Sequence, residues 1–520
     1  MQRLAALDGR WRSAAHLVCG AILSLIHPMA SFPLAMVVVL PLVFAFFSTT
    51  LSPRRAAFDG WLLGFGYFMP GLLWIGSAFF VEAEKFAWMT PFAVTLLPAA
   101  LAAYWAAAFA LAAVVVRVVA RRVGEADLLT KLLALALFWS LAEYVRGHAF
   151  TGFPWGLFAY GLIDTPIAQM AAHVGPYGLN ALVLTALLGL GAAVAAVGRA
   201  RWAFGGASVA LLLALAVLGA LRLPDGSAPL SGQVARIVQP NVPQVEKWRP
   251  DLINRNMRWL LELSEAPVDP AAAPDFVIWP ETAVVPQVLQ RRDLLTQVMA
   301  RLPGSAPLVL GTQRPEERAG GRLDWYNSLF VVAESGEILS VYDKHHLVPF
   351  GEYLPLQDLL ESIGVHQLAG RSGGFSSGPG PQVVSAPGLP RFAALICYEA
   401  VFPGAIPTGA ERPDVLIQIT NDAWFGDSGG PWQHLVQARY RAIEQGLPFL
   451  RSANTGVSGA IDPFGRVTAS LSLGERSYLD VAVSAPLPPT LYVQYWDSFF
   501  WALVGTFGLF LVTRSLAPRL

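Results

Sequence analysis

The sequence predicts a polytopic α-helical membrane domain of about eight spans that is joined to an α/β domain. Three observations lead to this prediction. The 520-residue chain is 54% hydrophobic and only 14% charged, whereas soluble domains carry about 25% charged residues. Long apolar runs fill the chain from about residue 13 to 221 and return at 494–513. The stretch between them, 232–488, has the composition of an ordinary globular domain.

These boundaries divide the chain into a membrane domain at 1–231, an α/β domain at 232–488 and a last span within 489–520. A helix needs about 20 apolar residues to cross the bilayer, and eight runs approach that length. They are 13–30, 33–50, 57–79, 88–116, 129–146, 166–197, 203–221 and 494–513. The first run is interpreted as a span rather than a signal peptide, because no clean cleavage site follows it.

The basic residues of the loops predict the orientation of these spans. Eight spans place both termini on one side of the membrane, and loops rich in Lys and Arg stay in the cytoplasm. The opposite side would carry only Lys85 and Arg146 in its short loops. The terminal side would carry thirteen: Arg3, Arg10, Arg12, Arg54, Arg55, Arg117, Arg121, Arg122, Lys131, Arg199, Arg201, Arg514 and Arg519. We therefore expect cytoplasmic termini and an extracytoplasmic α/β domain.

Short apolar segments alternate with helical ones through 232–488, which is typical of a layered α/β domain with both faces of its sheet covered. The predicted strands are 233–242, 275–279, 308–311, 328–332, 337–341, 393–397, 414–420, 449–452 and 459–461. The predicted helices lie near 249–264, 286–301 and 432–446. The segment 370–390 is rich in Gly, Pro and Ser, which predicts a mobile loop.

Charge and cysteine content exclude several classes of function. Formal net charge is zero, so no basic field points to nucleic-acid binding. Cys19 and Cys397 are the two cysteines and lie far apart, which excludes a disulfide framework or a Cys-rich zinc site. His345, His346 and His434 lack metal-ligand spacing and are interpreted as solvated or packing residues. We expect neither a metal nor a cofactor.

Three polar groups each follow a predicted strand: Glu281, Lys344 and Cys397. A thiolate is the nucleophilic form of cysteine. A nearby ammonium lowers the pKa of the thiol and a carboxylate can accept its proton. Core packing is the competing interpretation for a lone cysteine at the end of an apolar strand. The three groups together, in this order and each at a strand end, favour covalent catalysis.

The ordered Glu–Lys–Cys set resembles the nitrilase, or carbon–nitrogen hydrolase, superfamily. The motifs that carry the resemblance are WPET at 279–282, KHHLVPFGEYLP at 344–355, ICYE at 396–399, NDAWFGDSGGPWQH at 421–434 and RSANTG at 451–456. Set between seven spans and one span, they resemble the membrane branch of that superfamily, the bacterial apolipoprotein N-acyltransferases. The resemblance implies a nitrilase-like α/β domain built as an αββα sandwich.

The resemblance also implies a reaction. A member of this family takes the sn-1 acyl chain of a phospholipid, usually phosphatidylethanolamine, and forms a thioester on the cysteine that corresponds to Cys397. The acyl chain then passes to the α-amino group of the diacylglyceryl-cysteine of an apolipoprotein. The family places such an enzyme in the bacterial inner membrane with its catalytic domain in the periplasm. We expect a monomer that uses no cofactor.

Roles for single residues follow from the same resemblance. Glu281 would be the general base, and Lys344 would stabilise the oxyanion of each tetrahedral intermediate. Glu352 matches a family acid thought to hold or assist the lysine. The resemblance also gives activity-related positions, through substrate handling and site architecture, to Trp248, Tyr398 and Glu399.

Several interpretations stay open at this point. A membrane-tethered amidase that transfers to water is one alternative. A transporter with a regulatory soluble domain is another, and its acidic candidates are Asp59 and Glu143, which can both sit near span ends. The segment 421–425 is either a turn with an aromatic anchor or a substrate contact. Helical spacing makes an ordinary charged helix face the favoured interpretation of Arg439, Arg441 and Glu444.

Overall fold

A computed structural model describes residues 9–50, 52–268, 273–318, 321, 323–362, 368, 374–404, 406–407 and 412–516. The chain divides into two compact units. The helical unit comprises Met1–Trp74, Met89–Pro224 and Thr490–Leu520, and the α/β unit comprises Ile75–Trp88 and Asp225–Pro489. Residues 370–373 of the predicted mobile loop lie outside the described residues.

Each of the eight predicted apolar runs coincides with a helix. The main helices are Gly9–Leu23, Leu34–Ser48, Pro53–Gly71, Thr90–Val123, Leu128–His148, Ala171–Ala195, Arg199–Arg222 and Ser498–Leu516. Within the described residues, five helical segments are long and apolar enough to cross a membrane, or six if the bent pair Pro53–Gly71 and Leu73–Phe80 counts as one span.

Eight spans are predicted and at most six helical segments of the described residues are long and apolar enough to cross a membrane. The two predicted spans without such a helix are the first two. Gly9–Leu23 and Leu34–Ser48 have 15 residues each. At about 1.5 Å per residue such a helix is roughly 22 Å long, which is shorter than the hydrocarbon core of about 30 Å. The apolar runs are longer than the helices because their turns are apolar as well. Hydropathy alone cannot separate an apolar turn from an apolar helix.

Two acidic residues of the helical unit, Asp59 and Glu143, are buried and paired. Asp59 forms one ion pair with Arg12 at 3.0 Å and another with Arg55 at 2.8 Å. Glu143 pairs with Arg146 and accepts a hydrogen bond from Trp105 Nε1. A charge in apolar surroundings needs a partner of this kind. Each carboxylate therefore has a partner that accounts for its burial without an ion pathway.

Two six-stranded sheets form the α/β unit. The strands in chain order are β1 Leu230–Gln239, β2 Phe276–Ile278, β3 Leu308–Glu317, β4 Leu323–Val332, β5 Ile338–Asp343, β6 Val383–Val384, β7 Phe392–Ile396, β8 Val415–Thr420, β9 Phe449–Ala453, β10 Gly459–Ile461, β11 Val467–Ser470 and β12 Ser477–Ser484. Their orders are β12-β1-β2-β3-β4-β5 and β11-β10-β9-β8-β7-β6. β1, β2 and β3 pair in parallel, as do β7, β8 and β9, and the remaining neighbours are antiparallel.

The alternation of side chains along the strands builds three apolar layers. Phe276 and Ile278 of β2 belong to the core between the two sheets. Val277 and Trp279, which face the other way, pack in a cluster with residues of the helices Ile253–Ser264 and Arg292–Met299. The helix Gly429–Gln445 covers the second sheet. This order of helix, sheet, sheet and helix confirms the predicted αββα class.

The α/β unit differs from the prediction in several places, and three of its strands, β6, β11 and β12, were not predicted. The predicted helix at 286–301 is broken at Arg291, whose backbone is extended, into Gln287–Gln290 and Arg292–Met299. The interpretation of Arg441 and Glu444 as a solvated helix face is wrong, because both side chains are fully buried and form an ion pair at 2.5 Å. Arg441 also donates to the carbonyl of Val401, so this helix turns charged residues inward and pairs them there.

Candidate active site

The three predicted catalytic residues each stand at the end of a strand. Glu281 follows β2, Lys344 follows β5 and Cys397 follows β7. β5 runs in the same direction as β2 and β3, because two antiparallel pairings separate it from β3. The ends of β2 and β5 therefore lie at one edge of the first sheet. All three side chains are buried.

The charges of these three groups act on one another. Burial and the Glu281 carboxylate raise the pKa of the Cys397 thiol above its ordinary value, and the Lys344 ammonium opposes them. Burial also raises the pKa of Glu281, again against the effect of Lys344. The thiol is therefore protonated at rest and needs a base, while a carboxylate with a raised pKa is suited to accept its proton.

The carboxylate of Glu352 holds the ammonium of Lys344. The Nζ atom of Lys344 lies 2.9 Å from Oε1 and 2.8 Å from Oε2 of Glu352. The backbone N–H of Val348 also donates to Oε2. Burial acts to lower the pKa of Lys344, but the charges of Glu352, Cys397 and Glu281 outweigh it and raise that pKa. The ammonium is therefore charged and fixed in position.

Asn327 joins the two carboxylates and was not predicted. Its Nδ2 group donates to Oε1 of Glu281 at 2.6 Å and to Oε1 of Glu352 at 3.1 Å, and its backbone carbonyl accepts from the backbone N–H of Lys344. Of the described residues, none donates a hydrogen bond to Oε2 of Glu281. Glu352 has donors on both oxygens, so Glu281 is the carboxylate with an oxygen free to take a proton.

Cys397 adopts a left-handed backbone conformation, with φ at 51°. A non-glycine residue in this region costs about 1–3 kcal/mol and persists only where its surroundings enforce it. The side-chain amide of Gln418, on the adjacent strand β8, donates to the Cys397 carbonyl at 2.8 Å. Thr420, two residues further along that strand, acts to lower the pKa of the thiol. β8 therefore holds the backbone of the cysteine and also acts on its side chain.

A buried ionic cluster supports Gln418. Arg451 donates to Oε1 of Gln418 and to Oδ2 of Asp422. His434 Nδ1 lies 3.0 Å from Asp422 and its Nε2 lies 3.0 Å from the amide nitrogen of Gln418. Burial and the charge of Arg451 lower the pKa of His434. The Nε2 atom of His434 also lies 3.1 Å from the Cys397 carbonyl oxygen, so Gln418 and His434 both contact the backbone of the nucleophile.

Asp422 makes the stability of this cluster dependent on pH. Burial opposes its ionisation, but Arg451 and His434 outweigh that effect and lower the pKa of Asp422 from 3.8 to about 2. A carboxylate with a lowered pKa stabilises the folded state above its ordinary pKa, and this contribution is lost as pH falls towards 2. At about 1.4 kcal/mol per pKa unit the contribution is of the order of 2 kcal/mol.

We expect Asp422→Asn to remove the pH-dependent part of that contribution. The free energy of unfolding of the variant and of the unsubstituted protein, measured in the same detergent, should differ by about 2 kcal/mol more at pH 6 than near pH 2. The gap should narrow mainly between pH 4 and pH 2. A gap that stays constant over this range would contradict the assigned ionisation.

Glu399 connects the segment that carries Lys344 to the strand that carries Cys397. Its Oε1 atom accepts from the backbone N–H groups of His345 at 2.8 Å and His346 at 3.2 Å, and from the Tyr342 hydroxyl at 2.9 Å. Its Oε2 atom accepts from the backbone N–H of Ile396. Burial opposes ionisation, but His345 and these donors lower the pKa of Glu399. Glu399 therefore ties the segment after β5 to the end of β7.

The other two predicted residues, Tyr398 and Trp248, differ in burial. Tyr398 is buried next to Cys397, and its ring packs edge-on against Phe402. Trp248 is 38% exposed, and the Nζ atom of Lys247 lies 5.9 Å from the centroid of its indole ring. The activity-related roles of Trp248 and Tyr398 stay predictions.

Metal chemistry has no candidate site in the part of the chain that the structure describes. No group of three or more His, Cys, Asp and Glu side chains there could hold a metal ion. His345 and His346 are instead tied to Glu399 through their backbone N–H groups. His434 is a packing residue, in agreement with the favoured interpretation, and it belongs to the cluster behind Cys397.

The segment 421–425 combines two features. It is a short helical turn, Asp422–Phe425, that brings the Asp422 carboxylate into the cluster behind the nucleophile. Gly456 closes in on it, since a Cβ atom at that position would lie 2.4 Å from Oδ2 of Asp422. The segment therefore has the geometry of a turn, while its role as a substrate contact stays a prediction.

Comparison with known protein families shows which class of enzyme contains this candidate active site. Residues 235–487 match the carbon–nitrogen hydrolase family, and the α/β unit is a member of that class of enzymes. Residues 19–189 match the N-terminal domain of apolipoprotein N-acyltransferases. The chain is 40% identical to the apolipoprotein N-acyltransferase of Rhodopseudomonas palustris over 98% of its own length and 96% of the relative. The enzyme of that name from Bradyrhizobium diazoefficiens is also 40% identical, over 89% of this chain and 87% of the relative. This chain belongs to the apolipoprotein N-acyltransferase family and is an acyltransferase.

Proposed function

We propose that this protein moves the sn-1 acyl chain of a phospholipid to the α-amino group of the S-diacylglyceryl-cysteine that begins an apolipoprotein, the last step of lipoprotein maturation. Phosphatidylethanolamine is the proposed donor. One observation carries the proposal: a buried Cys397 interacts with the charges of Glu281 and Lys344 in a chain that matches apolipoprotein N-acyltransferases over nearly its whole length.

In the first half-reaction Glu281 takes the proton of the Cys397 thiol, and the thiolate attacks the ester carbonyl of the phospholipid. The Lys344 ammonium stabilises the oxyanion of the tetrahedral intermediate, a contribution worth about 3–4 kcal/mol for one donor. The C–O bond of the ester then breaks. Glu281 returns the proton to the leaving lysophospholipid oxygen, and the acyl chain remains on Cys397 as a thioester.

In the second half-reaction the α-amino group of the acceptor attacks the thioester carbonyl. Glu281 takes a proton from the attacking amine, and Lys344 again stabilises the oxyanion. The C–S bond breaks as the amide forms, and the sulfur of Cys397 recovers the proton held by Glu281. One base thus serves both halves, which is ping-pong covalent catalysis.

We also propose the placement of this enzyme and the bounds of its parts. A membrane domain at 1–231 and a last span within 489–520 would hold a catalytic domain at 232–488 on the periplasmic face of the inner membrane. The excess of basic residues in the loops on the terminal side supports cytoplasmic termini. The proposed unit of function is the monomer, because both half-reactions use residues of one chain.

The proposal is tested with purified protein, phosphatidylethanolamine labelled in its sn-1 chain and a synthetic peptide that begins with S-diacylglyceryl-cysteine. We expect label to enter the peptide as an amide that resists hydroxylamine. Omitting the peptide should stop turnover after one acyl group per enzyme. Release of labelled fatty acid at the rate of transfer, with or without the peptide, would identify a hydrolase instead.

A further inference from the structure

Lysine is rare in this chain. Of its 36 Lys and Arg residues only four are Lys: Lys85, Lys131, Lys247 and Lys344. The α/β segment 225–489 holds two of these four, Lys247 and Lys344, and both are buried beside the same thiol. Elsewhere in that segment the buried cations are Arg residues, among them Arg236, Arg441 and Arg451. Lys344 has a role in the reaction, whereas Lys247 has none so far.

The position of Lys247 is fixed by contacts on its own segment and on Glu281. Its Nζ atom donates to the backbone carbonyl of Glu281 at 3.0 Å, and its side chain is buried. The carbonyl of Lys247 accepts a long hydrogen bond, 3.5 Å, from the amide of Asn256. A lysine directed at the main chain of the proposed base therefore controls where that base stands.

The main chain at Glu281 needs such a contact. Thr282, the next residue, has a left-handed φ of 47°. Gly311 lies so close that a Cβ atom there would be 2.7 Å from the Cα atom of Glu281. The chain thus makes a tight, strained turn directly after the base. The ammonium of Lys247 holds the carbonyl at the centre of this turn.

Charge gives Lys247 a second effect on Glu281. The charged groups that act on Glu281 are Lys344, Glu352 and Lys247, and Cys397 is the reacting neighbour. Lys344 is bound by both oxygens of Glu352. The two carboxylates and the two ammonium groups sum to zero formal charge, and the total is still zero after the thiol proton moves to Glu281, because the Cys397 thiolate then carries the negative charge that Glu281 has lost. Without Lys247 the buried site would carry an excess negative charge.

We propose that Lys247 is a positioning residue for the general base, which fixes the Glu281 main chain and keeps its carboxylate ionised until the thiol gives up its proton. This inference rests on the proposed role of Glu281. Burial lowers the pKa of Lys247 to about 8, against the raising effect of Glu281 and Cys397, so the group remains a cation at pH 7. The Lys247 charge in turn lowers the pKa of Glu281.

Three substitutions separate the charge of Lys247 from its hydrogen bond. Lys247→Met removes both, Lys247→Gln keeps a donor without charge, and Lys247→Arg keeps the charge. The rate of thioester formation on labelled phospholipid is measured from pH 5 to 9. Loss of the cation raises the pKa of Glu281, so the acid limb of the profile should move to higher pH by about one unit or more in the Met and Gln variants. The Arg variant should keep the acid limb of the unsubstituted protein.

Different outcomes overturn different statements. An unchanged acid limb in both the Met and Gln variants, with only a uniform loss of rate and a lower Tm, would make Lys247 a structural residue. If the acid limb moves in the Met variant but not in the Gln variant, the hydrogen bond of Lys247 and not its charge acts on Glu281. If the Met variant does not fold, the comparison of Gln with Arg decides the same question. If the unsubstituted protein forms no thioester at any pH, the proposed function itself fails.

Discussion

Replacement of Cys397 by Ala is expected to abolish thioester formation and acyl transfer completely. The chain has two cysteines. The thiol of Cys397 is the one on which the charges of the proposed base Glu281 and of the buried Lys344 act. Incubation with phospholipid labelled in the sn-1 chain, with the acceptor peptide withheld, should leave label on the unsubstituted protein that neutral hydroxylamine removes. The Ala variant should carry none.

Cys19 provides the matched control for this experiment. It is buried in the helix Gly9–Leu23 of the helical unit, and Cys19→Ala should keep full labelling. Cys397→Ser keeps the shape of the side chain but supplies a much weaker nucleophile, so it should fold normally and label very slowly. Hydroxylamine-labile label on the Ala variant would show that the acyl chain is carried by another residue.

Glu281→Gln is expected to lower the rate of thioester formation by about 10²- to 10⁴-fold, the usual contribution of a positioned general base. The amide keeps the size of the side chain and can still accept from Asn327, so the variant should unfold at nearly the same temperature as the unsubstituted protein. The binding of phospholipid should change little, so that the loss appears in kcat rather than in KM.

Glu352→Gln separates the two buried carboxylates. This change leaves the buried Lys344 ammonium without its ionic partner, and breaking a buried pair in this way costs about 3–5 kcal/mol. We expect a clear fall in Tm in addition to a lower rate. A clear fall in Tm is thus expected for Glu352→Gln and not for Glu281→Gln, although both variants should lose activity. If Glu281→Gln labels at the normal rate while Glu352→Gln does not, the roles of base and lysine partner must be exchanged.

The sequence predicts the elements of this molecule better than their lengths. Apolar runs and strand patterns identify the strands that end at Glu281, Lys344 and Cys397, because each strand is a local feature with its own period. The two 15-residue helices at the start of the chain were predicted as full spans, since turns within a membrane unit are also apolar. β12 was missed because its partly exposed residues give little signal until it pairs with β1.

The candidate site was predictable where chemistry marks a residue, and not where only packing does. Asn327 and Gln418 are ordinary amides in strands, and nothing local indicates that one joins two carboxylates while the other holds the Cys397 carbonyl. These contacts link residues 21 and 46 positions apart and exist only in the folded chain. Lys247 has one signal in the sequence, the scarcity of lysine in this chain.

The pairing of β1 with β12 brings the two ends of the α/β segment together, since Leu230 lies opposite Ser484. A module whose entry and exit are neighbours can interrupt another chain as a loop does, without forcing apart the segments on either side of it. The α/β segment therefore begins and ends on adjacent strands of one sheet, so its two connections to the rest of the chain leave from the same edge of that sheet.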